Sequence, residues 1–566
     1  MQTQDFVVRF AGEGGQGVVT AAETLARAAT SVGYHALTFA TFPSQIMGGP
    51  TWTQTRISTS PILSVGDQLD VLVALNHNAY ETHRNEVRDS GLVIHDSAFD
   101  VDADIHAITI PFDELAKEAG EARSANMVIL GSLSHLVDMP LKFFEDFVRR
   151  RFKGRDAIVE ANIRALGLGY KHAASSEMQL GHLGAPERPE YQQLLLKGNE
   201  AISLGAIAAG LEFYVGYPIS PATTILVFME QNLTGPDKVA HQVSSEIESI
   251  TAILGASFAG KKAMTATAGP GFSLMSEGLG LGWMAEVPVV VVDVQRGGPA
   301  TGLPTKTEQS DLLAVLHPAH GDVKLPIIAP GTVEECFYGT IMAFNWAERY
   351  QGPVVLMSEM SLAERAQNIA KPDLSDLVVE DREAYKGNNG YLRYEGSGTS
   401  AMPIPGRPGS YVANGSEHDA MGDTTHLPSH HVEMSERRFN KLKLLDDGTY
   451  EAENQSNGIA VMTWGGSKGP TREAFNSLVA QGERLAWYYT MYLHPLPPRL
   501  LEELREKDMV IVPELNYQGQ FASILRSQGV NAEAITQYTG LPFKVGALSQ
   551  RIREVVRSRM EGMVKA

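Results

Sequence analysis

Short apolar runs alternate with amphipathic stretches along most of the chain, and this pattern predicts strands that alternate with helices. In residues 1–175, the apolar run 5–11 ends at the sequence GEGGQG, and a helix-like stretch follows from Val18 to Gly33. Further strand-like runs in this block cover residues 34–42, 69–76 and 91–97. The pattern indicates an α/β domain, followed by a linker over residues 176–193 that lacks apolar periodicity.

Residues 194–375 repeat the alternation and predict a second α/β domain with a mostly parallel sheet. Its predicted helices cover residues 199–210, 223–233 and 244–260, and its predicted strands cover 211–216, 261–267, 287–294 and 352–359. Residues 376–455 are polar and lack periodicity, which predicts a long irregular loop region. Residues 456–566 alternate again, so the predicted fold class is α/β with three doubly wound domains.

The amino-acid composition indicates which kinds of partner the protein can have and in which cellular compartment it is expected. The 47 basic and 66 acidic residues give a formal net charge of −19, which argues against nucleic acid or an anionic membrane as a partner. We see no run near the roughly 18 apolar residues of a membrane helix, and no secretory signal pattern. The single cysteine, Cys336, excludes a disulfide framework and a cysteine-ligated iron–sulfur cluster in this chain. It fits a reducing compartment, so we expect a cytoplasmic protein.

The GEGGQG sequence lies between a predicted strand and a predicted helix, where a helix N-terminus can bind phosphate. An NAD site would also need an acidic residue at the end of the second strand, but residues 39–42 read FATF. A phosphate-bearing ligand other than NAD is therefore favoured, and a tight turn needed only for packing is the alternative. The sequence MGG, after the second strand, is expected to line the same crevice. The candidate glycines are Gly12, Gly14, Gly15, Gly17, Gly48 and Gly49.

The sequence YPISP ends the strand 211–216, at the edge of the predicted sheet where parallel sheets bind ligands. Pro218 and Pro221 restrict the backbone on either side of Ser220. One interpretation is that Ser220 caps the next helix, with Pro221 at the first helical position. The other is that the Ser220 hydroxyl and the helix N-terminus present hydrogen-bond donors to a substrate carboxylate.

Charged residues accompany two other predicted strand ends. Glu246 and Glu248 begin the helix 244–260, where their spacing alone favours ordinary first-turn acids. Arg296 directly follows the run 287–294 and suits either bidentate carboxylate binding or a surface ion pair. Glycine-rich loops at 268–271 and 297–304 also follow strands, which predicts one shared cleft. No spacing of histidines in the loop region indicates a metal site.

Together, these motifs resemble the fused γα subunit of the 2-oxoacid:ferredoxin oxidoreductases, which use thiamine diphosphate. The similar segments follow the family's order over almost the whole chain. They are GEGGQG with MGG, GYPISPATT, SSEIES leading to GASFAG, TATAGPGFSLMSEG, VQRGGPATGLPTKTEQSDL, GSEHDAMG and VPELNYQGQ. The resemblance implies a coenzyme A-related γ-type domain at 1–175, a pyrimidine-binding thiamine diphosphate domain at 194–375 and a transketolase C-terminal-like domain at 456–566. Within the family, the chain most resembles the α subunits of enzymes that act on 2-oxoglutarate.

The resemblance also implies roles for individual residues. Ser220 and Arg296 correspond to residues that bind the substrate carboxylate, and Glu246 corresponds to the glutamate that bonds the aminopyrimidine of thiamine diphosphate. The other residues implied at the substrate are Tyr217, Thr301 and Lys306, and those implied at the cofactor are Pro218 and Ile219. One departure is that residues 400–406 read SAMPIPG, without the arginine usual in that loop. Arg393 and Arg407 are candidate substitutes.

The implied reaction converts 2-oxoglutarate, coenzyme A and oxidised ferredoxin reversibly to succinyl-coenzyme A, carbon dioxide and reduced ferredoxin. A β subunit is implied to hold Mg²⁺ with the diphosphate, together with a [4Fe-4S] cluster, in an (αβ)₂ assembly. One alternative is the same chemistry on pyruvate or on a broad range of 2-oxoacids. Others are a non-catalytic nucleotide-binding scaffold subunit and a self-contained NAD-linked oxidoreductase, which the missing ribose acid disfavours.

Overall fold

The computed structural model of the protein describes residues 2–3, 5–43, 48–176, 178–186, 192–375, 377–387 and 390–565. Met47 of the MGG sequence and parts of the predicted linker and loop region lie outside the described residues. The chain forms two compact units. The first comprises Met1–Lys197, Glu364–Lys371 and Lys544–Gly546, and the second comprises Gly198–Ala363, Pro372–Phe543 and Ala547–Ala566.

The strands include all of the apolar runs that the sequence predicted as strands. In chain order they are β1 (Gln2–Thr3), β2 (Asp5–Glu13), β3 (His35–Thr41), β4 (Pro50–Ser58), β5 (Leu69–Ala74), β6 (Val87–Asp96), β7 (Ala107–Ile110), β8 (His182–Leu183), β9 (Gln193–Lys197), β10 (Phe213–Gly216), β11 (Val239–Gln242), β12 (Ala263–Thr267), β13 (Val289–Gln295), β14 (Ile327–Ile328), β15 (Pro353–Glu359), β16 (Ala366–Ala370), β17 (Glu451–Glu453), β18 (Ile459–Thr463), β19 (Ala486–Tyr489), β20 (Tyr492–His494), β21 (Met509–Glu514) and β22 (Ala532–Thr536).

The helices follow the amphipathic stretches between these strands. In chain order they are α1 (Val18–Thr30), α2 (His77–His83), α3 (Phe112–Glu118), α4 (Ala125–Leu136), α5 (Leu141–Arg151), α6 (Asp156–Ala174), α7 (Gly198–Ala208), α8 (Thr223–Asn232), α9 (Glu246–Phe258), α10 (Gly269–Leu274), α11 (Ser276–Met284), α12 (Leu312–Leu316), α13 (Val333–Tyr350), α14 (Met360–Ala363), α15 (Pro428–Asn440), α16 (Lys468–Ala480), α17 (Pro498–Arg505), α18 (Gln520–Ser527) and α19 (Val545–Lys565). Among the described residues, no helix is both long enough and apolar enough to cross a membrane.

The first unit contains an eight-stranded mixed sheet with the order β7-β6-β5-β2-β4-β3-β16-β9. Strands β5, β6 and β7 continue in parallel from β2, whereas β4 is antiparallel to both β2 and β3. The sequence pattern did not predict β4, because its buried side chains include Thr53, Gln54 and Thr55 in place of apolar ones. A core of buried side chains from β2, α1, α4 and their neighbours fills one face of the sheet.

The second unit contains two sheets. The seven-stranded sheet has the order β11-β10-β12-β13-β15-β14-β20 and is parallel except for β20. Its central strand β13 is buried along its whole length, as expected for a parallel strand that is covered on both faces. The five-stranded sheet, β17-β19-β18-β21-β22, is parallel except for β17. The predicted α/β class is therefore confirmed, with three larger sheets and a two-stranded sheet of β1 and β8 among the described residues.

The segment predicted to be an irregular loop contains regular elements. Helix α15 (Pro428–Asn440) lies in this segment, and the short strand β17 (Glu451–Glu453) lies near its end. The buried residues of α15 are Met434, Arg437 and Arg438, so two of the three are cations. The sequence analysis missed this helix because a buried face with so little apolar character does not produce helical periodicity.

Candidate active site

The predicted site residues of the second unit gather at one edge of its seven-stranded sheet. The neighbouring strands β11, β10, β12 and β13 run parallel, so their carboxyl ends lie at the same edge. Strand β11 leads into Glu246, β10 into YPISP, and β13 into Arg296. Strand β12 leads into AGPG at 268–271, which was predicted to be a loop but forms the N-cap and first turn of α10; we call it the AGPG turn. The topology therefore gives the candidate residues a common location at the strand ends, where open parallel sheets bind ligands.

Arg296 connects the ends of β13 and β10. Its Nη1 donates a hydrogen bond of 2.7 Å to the Ser220 carbonyl, and its Nη2 donates one of 3.3 Å to the Thr301 carbonyl. Its Nε is buried and has no hydrogen-bond partner among the described residues. Arg296 is 7% exposed, and this burial lowers its pKa while the negative charge of Asp311 raises it. The guanidinium is therefore a fixed cation at the strand ends, and the interpretation as a surface ion pair is wrong.

The Ser220 side chain does not cap the following helix. Helix α8 begins at Thr223, the residue before it is Ala222, and no side chain caps its first turn. The interpretation of Ser220 as the N-cap is therefore wrong, because the chain makes a further turn before the helix begins. Ser220 and Tyr217 are exposed. The half-buried residues between them are Pro218 and Ile219.

The loop after Arg296 is closed by its own backbone. The Gly297 N–H donates to the Lys306 carbonyl at 3.0 Å, and the Leu303 N–H donates to the Gly297 carbonyl at 2.7 Å. Gly302 has a φ of +53°, and a Cβ there would lie 2.0 Å from the Gly297 carbonyl oxygen. A side chain at this position is therefore excluded. Burial lowers the pKa of Lys306, which is half-buried in the same loop.

The two glutamates at the start of α9 have different environments. Ser245 caps the helix by accepting a 3.2 Å hydrogen bond from the Glu248 N–H, and the Glu248 carboxylate accepts one of 2.8 Å from the Ser244 N–H. Glu248 is thus the ordinary first-turn acid. Glu246 is 5% exposed, and its Oε1 lies 2.5 Å from the position that a Cβ on Gly271 would occupy. The Glu246 carboxylate therefore lies directly on the AGPG turn.

Two further carboxylates lie near the end of β13, and the sequence analysis did not single them out. Asp293 is fully buried inside β13, and Asp311 is half-buried before α12. Burial raises the pKa of Asp311 to about 6 and raises that of Asp293 well above its ordinary value. The acid inside VVVVDV was an available signal, since a buried carboxylate needs a specific environment. Asp311 lies in a polar stretch and gave no such signal.

The glycine motifs of the first unit lie side by side. Strands β2 and β4 pair with Gly12 opposite Thr51, which brings GEGGQG next to the glycines that precede β4. The Gly14 N–H donates a 3.1 Å hydrogen bond to the Gly49 carbonyl. Gly17 has a φ of +79° and directly precedes α1, whose first N–H groups suit an anion. A cavity of about 530 Å³ is lined by Glu13, Gly14, Gly15, Gly17, Val18, Val19, Thr20, Phe42, Pro43, Gly48 and Thr51.

The candidate substitutes for the missing loop arginine differ in accessibility. Arg393 is fully buried, and it donates 2.7 Å and 2.9 Å hydrogen bonds to the Gln351 side chain and the Glu286 carbonyl. This position leaves Arg393 no exposed atom for a substrate, whereas Arg407 is exposed. Within the part of the chain that the structure describes, no group of three or more His, Cys, Asp or Glu side chains could hold a metal ion.

Two family models match the chain. One is described as "Pyruvate ferredoxin/flavodoxin oxidoreductase" and matches residues 7–172. The other is described as "Pyruvate flavodoxin/ferredoxin oxidoreductase, thiamine diP-bdg" and matches residues 204–437. The second match includes the strand ends that carry Ser220, Glu246 and Arg296.

Relatives of known type match the chain from end to end. It is 32% identical to the 2-oxoglutarate oxidoreductase subunit KorA of Mycobacterium tuberculosis, over 98% of this chain and 92% of that protein. It is 29% identical to subunit alpha of the 2-oxoacid:ferredoxin oxidoreductase 2 of Aeropyrum pernix, over 98% and 99%. Its structure is similar, with a TM-score of 0.93 and 36% identity, to a 2-oxoglutarate:ferredoxin oxidoreductase from Magnetococcus marinus with 2-oxoglutarate, coenzyme A and succinyl-CoA bound. That similarity covers 98% of this chain and 100% of the other.

Proposed function

We propose, from the premise that this chain belongs to the 2-oxoacid:ferredoxin oxidoreductase family, that it is the α subunit of an enzyme acting on 2-oxoglutarate. The enzyme converts 2-oxoglutarate and coenzyme A to succinyl-coenzyme A and carbon dioxide, and it exchanges electrons reversibly with ferredoxin. The observation that carries the proposal is Arg296, a buried cation with an unpartnered Nε, fixed at the strand ends by the Ser220 carbonyl.

Glu246 is suited to hold the pyrimidine of thiamine diphosphate. When bound, thiamine diphosphate would supply a nucleophilic carbon for the 2-oxo group and an electron sink for the decarboxylation. The Glu246 carboxylate is buried at the first residue of α9 and pressed onto the AGPG turn. It would accept a hydrogen bond from the N1′–H of the aminopyrimidine, which favours the tautomer whose imino nitrogen is a base. Pro218 and Ile219 follow the neighbouring strand β10 and would shield the pyrimidine from water.

Arg296 and Ser220 are suited to bind the C1 carboxylate of a 2-oxoacid. The Arg296 guanidinium is a cation that is 7% exposed at the strand ends, and its charge favours a carboxylate there. Arg296 already bonds the carbonyl of Ser220. The Ser220 hydroxyl and the Arg296 guanidinium are therefore expected to bind the same substrate carboxylate. Lys306, with Thr301 in the same closed loop and Tyr217 after β10, would bind the second carboxylate that 2-oxoglutarate has and pyruvate lacks.

Coenzyme A is assigned to the glycine-lined cavity of the first unit. The cavity of about 530 Å³ includes the N-terminus of α1, where unpaired N–H groups and the helix dipole favour a phosphate. Strand β3, which follows helix α1, ends at Thr41. It lacks the acidic residue at its end that an NAD ribose requires. This supports a phosphate-bearing ligand other than NAD.

A second chain, the β subunit, is needed to complete the enzyme. A [4Fe-4S] cluster takes four thiolates, and this chain has one cysteine, Cys336, which is buried in α13. We therefore assign to the β subunit the cluster, the Mg²⁺ that holds the diphosphate, and the contact with ferredoxin. Exposed apolar residues around the strand ends offer a surface for it: Tyr217, Ile247, Leu274, Leu303, Tyr517 and Tyr538. An (αβ)₂ assembly in the cytoplasm is the form we propose.

The test is an activity assay on the complex of this chain with its co-expressed β subunit. Coenzyme A-dependent reduction of a low-potential dye is measured with 2-oxoglutarate and with pyruvate. For wild type, we expect kcat/KM to favour 2-oxoglutarate. For Arg296→Ala, loss of a charge-assisted carboxylate contact of about 1.5–3 kcal/mol should raise KM roughly 10- to 100-fold.

Arg296→Lys is the matched control, since it keeps the charge and loses the planar fork; we expect an intermediate KM. Equal kcat/KM on pyruvate would retain the family and contradict the 2-oxoglutarate assignment. A complex loaded with thiamine diphosphate and cluster that oxidises neither substrate would contradict the proposed function.

A further inference from the structure

The carboxylates of Asp293 and Asp311 have no role in the proposed function. Asp293 lies in β13 between Thr267 of β12 and Met357 of β15, and it is fully buried. Neither of its carboxylate oxygens has a hydrogen-bond partner among the described residues, and the same is true of Oδ2 of Asp311. Buried carboxylates without partners are costly, so such a pair at a strand-end site calls for a function.

The backbone of Asp311 is hydrogen-bonded to β13, the strand that precedes Arg296, but the Asp311 side chain does not cap a helix. It occupies the N-cap position of α12, where aspartate commonly accepts a bond from the helix backbone, yet no such bond forms. Its N–H instead donates a 3.1 Å hydrogen bond to Oε1 of Gln295, the residue before Arg296. Its Oδ2 lies 2.7 Å from the position of a Cβ on Gly269, so the carboxylate is turned onto the AGPG turn.

The AGPG turn therefore lies between two carboxylates. Glu246 lies against Gly271 at one end of the turn, and Asp311 lies against Gly269 at the other. Asp311 also interacts electrostatically with three charged groups: Asp293, Glu308 and Arg296. Burial and the charge of Glu308 raise the pKa of Asp311 to about 6, and Arg296 lowers it. The pKa of Asp293 is raised well above its ordinary value by burial and by the charge of Asp311.

We propose that Asp311 is a positioning residue that takes up one proton from solvent when the anionic 2-oxoacid binds at Arg296. The proposal rests on the proposed function, which brings a substrate carboxylate to that arginine. In the free site, an ionised Asp311 interacts electrostatically with Arg296 without contacting it. A substrate carboxylate adds a second negative charge to this site, and protonation of Asp311 removes the repulsion between the two.

The sign of the pH dependence follows from this competition. Below a pH of about 6, Asp311 is already protonated, so substrate binding takes up no proton and KM is low. Above it, each binding event must add a proton, and KM rises by up to about tenfold per pH unit. In Asp311→Asn the side chain is neutral at every pH, so KM loses this dependence.

The experiment measures proton uptake directly. The αβ complex is prepared without thiamine diphosphate, so that 2-oxoglutarate can bind but cannot react, and is titrated calorimetrically at pH 7 in two buffers of different ionisation enthalpy. This pH is one unit above the pKa of Asp311, which is about 6. Wild type should therefore take up about 0.9 proton per site when 2-oxoglutarate binds. Asp311→Asn should take up none. The matched control is Glu308→Gln, which removes the other carboxylate of this loop and should keep the uptake.

The calorimetric titration of the wild-type complex tests the proposal without any variant. Binding of 2-oxoglutarate to the wild type without proton uptake would overturn the proposal. Uptake that persists in Asp311→Asn, or that disappears in Glu308→Gln alone, would assign the proton to another group and also overturn it. A KM raised equally at all pH values in Asp311→Asn would show a merely structural role. A complex that neither binds nor oxidises any 2-oxoacid, with Asp311 intact, would contradict the proposed function instead.

Discussion

At the scale of single residues, the Glu246 carboxylate can occupy its position only because Gly271 has no side chain. A Cβ on Gly271 would lie 2.2 Å from Oγ1 of Thr267 and 2.5 Å from Oε1 of Glu246. Both distances are far below van der Waals contact, so the turn and the carboxylate fit together because this residue is glycine. The backbone of the AGPG turn thereby sets where Glu246 meets the pyrimidine in the proposed enzyme.

We expect Gly271→Ala to lower kcat by about 100-fold, because displacing a catalytic group by about 1 Å can cost that much. The chain should still fold, since the added methyl group requires a local adjustment at the mouth of the site. Steady-state kinetics of the αβ complex would measure this. Gly255→Ala is the control in the same helix as Glu246, because a Cβ there meets nothing within 4 Å. Unchanged kcat in Gly271→Ala would show that Glu246 does not need its present position.

Much of the site could be predicted from residues that follow apolar strands, and what was missed depended on three-dimensional contacts. Arg296 and the YPISP sequence are visible because a cation or a proline pair after a strand is unusual. The functional position of Glu246 could not be separated from that of Glu248 by spacing. Only the fold shows that the Glu248 carboxylate bonds the Ser244 N–H and that the Glu246 carboxylate lies against Gly271. Asp311 was missed because nothing local distinguishes a surface aspartate from one that is turned onto the AGPG turn.

At the scale of elements, predictions failed where polar side chains fill the interior. Strand β4 buries Gln54, whose Oε1 accepts 2.7 Å and 3.1 Å bonds from Arg9. Helix α15 buries Arg437, whose guanidinium meets the Glu286 carboxylate at 3.0 Å, and Lys441 follows it at 2.7 Å from the same carboxylate. Apolar strands and helices could be predicted because the periodicity of the sequence reflects the burial of hydrophobic side chains. This periodicity carries no information about a buried charged side chain whose partner lies far away in the sequence.

The Glu286 carboxylate is expected to hold α15 in place. Burial raises the pKa of Glu286, but the charges of Lys441, Arg393 and Arg437 lower it to about 2, so it is ionised at all working pH values. Glu286→Gln would leave the buried guanidinium groups of Arg393 and Arg437 without a carboxylate, at a cost of about 3–5 kcal/mol. We expect a lower thermal midpoint and rapid proteolysis within residues 390–455.

The control for this prediction is Glu436→Gln, which removes an exposed carboxylate from α15 itself. It should leave both the thermal midpoint and the proteolytic pattern unchanged. Equal resistance of Glu286→Gln and wild type would mean that the buried cations are compensated in some other way.

At the scale of the whole molecule, charge and apolar exposure point to different kinds of partner. The formal net charge of −19 disfavours nucleic acids and anionic membranes. Around the proposed active site, by contrast, aromatic residues are exposed after β21 and β22. Tyr517 is 73% exposed and Tyr538 is 55% exposed, and their ring centroids are 5.0 Å apart. Exposed aromatic pairs of this kind are typical of the energetic centre of a protein–protein interface.

We therefore expect the double variant Tyr517→Ser/Tyr538→Ser to bind the β subunit more weakly. Loss of two interface aromatics commonly costs 2 kcal/mol or more, so the dissociation constant should rise by about 30-fold or more. Sedimentation velocity over a concentration series would measure it, and circular dichroism would verify the fold of the free chain. Val378→Ser is the control, because Val378 is 70% exposed and its carbonyl accepts a 2.8 Å bond from Asn345 of α13, away from the strand ends. If the double variant assembled as tightly as this control, the aromatic pair would lie outside the interface, and the β subunit would have to reach the strand ends over the Ile247 and Leu274 side of the site.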